Sequence, residues 1–154
     1  MRILVISDSH GNIRNIERAV ESQPEANIII HLGDGADDIV DLEFVYRDKQ
    51  FYQVAGNCDW GSSLPLEGKL KVADKTIFFV HGHEYKVKTN LQQIKLEARK
   101  KNADIVLFGH THLPITEYDD ELYLLNPGSL QYDDGTYGII DITDAGISVQ
   151  IIKV

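Results

Sequence analysis

Cysteine occurs once in this chain, at Cys58, which rules out an intrachain disulfide framework and fits a reducing compartment, the cytoplasm. Long apolar runs are missing too. Nothing approaches the roughly 20 residues of a membrane span, and the first apolar run is cut short by Ser7 and Asp8 before it could serve as a signal peptide. Excess positive charge is also absent: 15 Lys+Arg stand against 24 Asp+Glu, a net charge of −9, which argues against stable non-specific binding of nucleic acid through its phosphates. An anionic ligand would need something local and strongly positive to attract it. There are no repeats and no low-complexity segments, and 154 residues with 43% hydrophobic content suit one domain, residues 1–154. A glycine-rich dinucleotide fingerprint is lacking after the first strand, as is the Gly-x-Ser-x-Gly elbow of a serine hydrolase.

What is present is a series of short apolar runs, each ending in polar residues. Residues 2–6 read as a buried strand ending at Ser7-Asp8-Ser9-His10-Gly11-Asn12, after which Ile13, Ile16 and Val20 recur at helical spacing with Asn12 as a cap. Residues 27–32 and 51–55 read as further strands, separated by a helix through Ile39, Leu42 and Val45 whose Asp37, Asp38, Asp41 and Glu43 face outward. This strand–helix alternation predicts a parallel sheet. Residues 66–72 and 76–80 form a strand pair, and residues 89–101 a helix, with Thr89 and Gln92 as its capping box. After the strand at 103–108, the tail segments 115–118, 122–125, 137–142 and 147–154, separated by turn residues, predict an antiparallel meander completing a second sheet.

The chemistry-bearing residues sit at strand ends. Five strands are followed by Asp8 and His10, by Asp34, by Asn57, by His81, and by His110 and His112; five of the six histidines fall in these segments. Ligands of open α/β sheets gather at the carboxyl ends of strands, so the pattern points to a metal site. Seven ligands exceed the four of a structural zinc site, and there are no paired cysteines. The number suits two cations sharing a carboxylate. Mixed carboxylate, amide and imidazole donors favour manganese, with nickel, cobalt, zinc and iron as alternatives. Along an extended chain His110 and His112 would point to the same side.

Asp8-Ser9-His10, Gly33-Asp34, Gly56-Asn57-Cys58-Asp59, His81-Gly82-His83 and Gly109-His110-Thr111-His112 together resemble the ordered motif set of the calcineurin-like metallophosphoesterase superfamily, closest to its small bacterial and archaeal phosphodiesterases. The resemblance implies a four-layer α/β/β/α sandwich of two mainly mixed sheets, with a dinuclear metal site at the carboxyl ends of the strands. It also implies that Asp8, His10 and His112 hold one metal, that Asn57, His81 and His110 hold the other, and that Asp34 bridges them. The activity implied is hydrolysis of a phosphodiester by a metal-bridging hydroxide. A small diester is the expected partner, because the surrounding acidic residues would repel a long polyanion.

Asn57 would stabilise charge on phosphate, and Asn12 at the start of the first helix is a further substrate contact beside its capping role. Arg14, Lys86 and Lys88 are candidate selectivity residues whose default place is solvated surface. Cys58 departs from the resemblance: many relatives have histidine there, oriented by the following aspartate. A thiol is a poor proton donor to an alkoxide, which makes His83 the substitute candidate. The alternative class is a non-catalytic interaction scaffold on the same fold. Exposed tyrosines among Tyr118, Tyr123, Tyr132 and Tyr137 would then offer a surface for a homo-oligomer.

Overall fold

Ten strands and three α-helices organise the chain in a computed structural model describing residues 1–154: β1 (Arg2–Ile6), α1 (Ile13–Ser22), β2 (Ala26–His31), α2 (Val40–Val45), β3 (Gln50–Gln53), β4 (Glu67–Val72), β5 (Lys75–Val80), α3 (Gln92–Lys100), β6 (Ile105–Phe108), β7 (Ile115–Asp119), β8 (Leu122–Asn126), β9 (Thr136–Thr143) and β10 (Gly146–Lys153). One sheet has the order β10-β9-β1-β2-β3 and the other β4-β5-β6-β8-β7. β1 runs parallel to β2, and β2 parallel to β3, as the crossovers through α1 and α2 require. β5, β6 and β8 are likewise parallel.

Both faces of the central strands are buried, and the two-residue period sorts their side chains into layers. Ile3 and Val5 of β1, Ile77 and Phe79 of β5, and Ile105 and Leu107 of β6 meet in one cluster between the sheets. Their neighbours face outward. Leu4 and Ile6 pack with Ile16, Ala19 and Val20 of α1 and Leu42 of α2. Phe78, Val80, Val106 and Phe108 pack with Ile94 and Ala98 of α3. Three apolar interfaces therefore separate four layers, α/β/β/α.

The tail departs from the expected single meander. β7 and β8 add to the second sheet, with β8 parallel to β6, whereas β9 pairs antiparallel with β1 and carries β10 onto the first sheet. Tyr137, on β9, is buried in the core rather than available to a partner. Tyr118 is exposed, and its ring stacks on Tyr123 at a centroid distance of 4.6 Å. The start of α3 differs as well: it begins at Gln92, and the Asn90 side chain, not Thr89, accepts the Gln92 N–H at 3.0 Å. Asn12 caps α1 through the Asn15 N–H. No helix is long and apolar enough to cross a membrane.

Leu107 has no exposure and lies between the sheets, whereas Leu96 is 58% exposed on α3. Denaturant unfolding should show Leu107→Ala less stable by about 2–5 kcal/mol, with Leu96→Ala within about 0.5 kcal/mol of the parent.

Candidate metal centre

The two sheets meet at the carboxyl ends of β1, β2, β3, β5 and β6, where hydrogen bonds tie the loops together. His81 Nδ1 donates to Leu32 O at 2.8 Å, Gly109 N to His81 O at 2.9 Å, and Leu130 N to Ser7 O at 3.2 Å. All seven expected ligand positions converge here. Five have left-handed backbone: Asp8 (φ 52°), His10 (45°), Asp34 (57°), His110 (67°) and His112 (60°). For residues other than glycine such conformations cost on the order of 1–3 kcal/mol and gather where function demands a particular side-chain direction.

That backbone changes the relation between His110 and His112. They do not lie on one side of an extended strand. The His110 Nδ1 is 3.2 Å from His81 Nε2, while the His112 Nε2 is 3.0 Å from Asp8 Oδ1, so the two rings serve opposite halves of the site. In the first half, donor atoms of Asp8, His10 and His112 lie within 4.8 Å of one another. In the second, His81 Nε2 faces Asn57 Oδ1 at 3.1 Å as well as His110. Asp34 Oδ2 lies between the halves, 3.8 Å from His10 Nε2 and 3.5 Å from His81 Nε2.

The protonation pattern suits cations. His81 Nδ1 donates to the Leu32 carbonyl, which turns its Nε2 towards the Asn57 oxygen and a second imidazole. Burial, reinforced by neighbouring His81, pushes the His110 pKa down to about 4 and keeps the ring neutral. Asp8 has no exposure; its Oδ2 accepts from Ser7 Oγ and from His110 N, whereas its buried Oδ1 makes no hydrogen bond of good geometry, although His112 Nε2 lies 3.0 Å away. A buried carboxylate oxygen left in that state is costly unless a cation completes it. Orphaned oxygen, converging ring nitrogens and a mixed imidazole–carboxylate–amide donor set all fit divalent transition-metal ions.

Close approach fixes the glycines. A Cβ on Gly56 would collide with the Asp34 carboxylate, and one on Gly109 with the Ser7 hydroxyl.

The remaining expected site residues fall in different surroundings. Cys58 is exposed; its backbone N–H donates to Asp34 Oδ1 at 2.7 Å, and partial desolvation of the sulfur together with Asp34 raises the thiol pKa to about 11 in the metal-free chain. The His83 ring packs against His81 and His110 at centroid distances of 5.5 and 6.1 Å, and its Nδ1 is buried without a partner. Asn12 uses both ends of its amide internally, accepting from Asn15 N and donating to Gln131 O at 3.0 Å. Arg14, Lys86 and Lys88 are exposed.

Several supporting residues take roles that their place in the sequence does not reveal. Asp59 does not orient a ring; its carboxylate accepts the backbone N–H groups of Asp34, Gly35, Ala36 and Gly56 at 2.7–2.9 Å. Burial raises its pKa, but the four donors outweigh that and leave it lowered. Asp38, expected on the outer side, turns inward to accept from Ser9 Oγ and Gly11 N. Ser9 in turn accepts from His31 Nε2 at 3.0 Å; the other ring nitrogen accepts from Gly33 N, and burial lowers the His31 pKa to about 4. Asn126, hidden in an Asn-Pro-Gly turn signal, donates to Gly109 O and to Thr111 Oγ1, bracing the last loop.

Comparison with known proteins agrees with this architecture. Residues 1–145 match the family model of the calcineurin-like phosphoesterase superfamily domain. A Bacillus subtilis relative named "Probable metallophosphoesterase YsnB" is 32% identical over 133 residues, covering 85% of this chain and 76% of the relative. Phosphodiesterase MJ0936 of Methanocaldococcus jannaschii is 28% identical over 160 residues, covering 92% and 93% respectively. The crystal structure of Vps29 from Entamoeba histolytica complexed with zinc superposes with a TM-score of 0.79 at 21% identity, over 100% of this chain and 98% of that one, a likeness of fold.

Asp59→Ala removes one acceptor from four backbone donors. The variant should lose about 1–3 kcal/mol of stability, and hydrogen exchange should show faster amides at Asp34, Gly35, Ala36 and Gly56. Asp48→Ala, at an exposed position, should change neither.

Proposed function

The chain belongs to the calcineurin-like phosphoesterase superfamily, a family of metal-dependent phosphoesterases, and on that basis we propose that it hydrolyses small phosphodiesters at a pair of divalent cations. The observation that carries the proposal is the division of its donors around Asp34. Asp8, His10 and His112 would hold one ion, Asn57, His81 and His110 the other, and Asp34 both. Manganese is the favoured metal, with nickel, cobalt, zinc and iron as the other ions this donor set accepts. When bound, the pair would lower the pKa of an attacking water and offset charge on phosphate.

The chain's own groups would do the rest. Asn57 is exposed at the mouth of the site, placed to donate from its amide to a non-bridging oxygen. The Leu32 carbonyl fixes the His81 tautomer, and the Cys58 N–H fixes Asp34 Oδ1, so both ligands are oriented before substrate arrives. Cys58 is not needed as a nucleophile, because the metal pair would supply an activated water. His83, whose Nδ1 lacks a partner beside the second half of the site, is the group we assign to the leaving oxygen. The local positive charge would draw in a single phosphodiester anion, while exposed Asp37 and Asp41 on a chain of net charge −9 disfavour a polyanion. The lone thiol supports placement in the cytoplasm. A non-catalytic scaffold on the same fold is the alternative, and the complete set of seven donors favours the enzyme.

Stripped of metal and titrated with manganese, nickel, cobalt, zinc and magnesium, the protein should hydrolyse an aryl phosphodiester faster than the corresponding monoester. No metal-dependent diester turnover with any of them would reject the proposal. His110→Ala and His112→Ala should each abolish a different one of two calorimetric binding events, with Thr111→Ala milder; equal metal content in all three would contradict the ligand division.

A further inference from the structure

Beside the candidate centre lies a cavity of about 270 Å³ lined by Ala36, Asp37, Cys58, Asp59, Trp60, Gly61 and Ser62. It opens directly off the site, because Cys58 belongs to both: its sulfur lies within 4.8 Å of donor atoms of His10 and Asp34. Trp60, the only tryptophan in the chain, is among the lining residues and is 92% exposed. So large an aromatic surface left in water gains substantially from being covered.

The indole stands on a fixed support. Trp60 N donates to Cys58 O at 3.0 Å and Ser62 N to Asp59 O at 3.2 Å, and the Asp59 carboxylate grips the turn from Gly56 to the loop after β2. Both Asp59 oxygens are consumed by those donors, which leaves Asp37, an exposed lining residue, as the carboxylate free to accept from a ligand. A negative wall is wrong for a second phosphate and right for an amino group on a planar, uncharged ring.

Resting on the reading of the site as a phosphodiesterase, we propose that this cavity receives the base of a nucleoside phosphodiester, stacked on the Trp60 indole with its amino group donating to Asp37, while its phosphate passes Cys58 into the candidate centre. Stacking of one base on one aromatic side chain tolerates any base face, and the Asp37 acceptor selects those that carry an exocyclic amino group: adenine, cytosine and guanine.

Two measurements test this. Excitation of the sole tryptophan in zinc-loaded protein should report quenching by adenosine 5′-monophosphate and none by ribose 5-phosphate, and Asp37→Ala should weaken the adenosine 5′-monophosphate response severalfold. In turnover, the p-nitrophenyl ester of adenosine 5′-monophosphate should be preferred in kcat/KM about tenfold over methyl p-nitrophenyl phosphate. Trp60→Ala should collapse that preference through KM, and Trp60→Phe should restore most of it. Equal responses to the two phosphates, or a preference that survives Trp60→Ala, overturn the base pocket alone. Hydrolysis of neither ester overturns the phosphodiesterase reading and the pocket with it.

Discussion

Asp8 carries a carboxylate to a position with no solvent exposure, where the protein satisfies only one of its two oxygens. Burying a charged group costs several kcal/mol unless donors or an opposite charge compensate. The surroundings hold Asp8 in place rather than relieve it. Its backbone is left-handed, Ser129 Oγ donates to its carbonyl at 2.8 Å, and Gly109 lets the opposing loop come close. A residue kept this way is prepared for a cation, and the imidazoles of His10 and His112 face the same unsatisfied oxygen.

The layered fold makes that expense tolerable. Three separate apolar clusters anchor the strands on both faces, so the loops at their carboxyl ends can carry strain and polar burial without loosening the sheets. The loops are then tied to one another by side chains that do not touch a ligand position directly or only brace it: Asp59 across two loops, Asp38 through Ser9 and Gly11, Asn126 beneath Gly109 and Thr111. Preorganisation of this kind is what fixes donor directions before a metal or substrate arrives.

Much of this was legible in the residues. Strands buried on both faces are unbroken apolar runs, and the polar residues that follow each of them stand out against it; the seven candidate positions that the fold brings together sit where such runs stop. The sheet assignment of the tail was not legible, because turn signals reveal hairpins but not the edge to which a hairpin adds: β8 joined β6 and β9 joined β1. The directions of His110 and His112 differ from those of an extended chain because both residues adopt positive φ. Asp59, Asp38 and Asn126 were hidden for a different reason. An aspartate in a loop or on a helix looks like solvated charge, and Asn-Pro-Gly looks like a turn, until the backbone donors that each accepts or braces are brought from distant parts of the chain.

Two cations sharing Asp34 between the ends of the two sheets would be visible by anomalous diffraction from crystals soaked in manganese. Two peaks are expected about 3.5–4 Å apart, one beside Asp8, His10 and His112, the other beside Asn57, His81 and His110, with the Asp34 carboxylate between them. A single peak, or two peaks that do not flank Asp34, would contradict that arrangement.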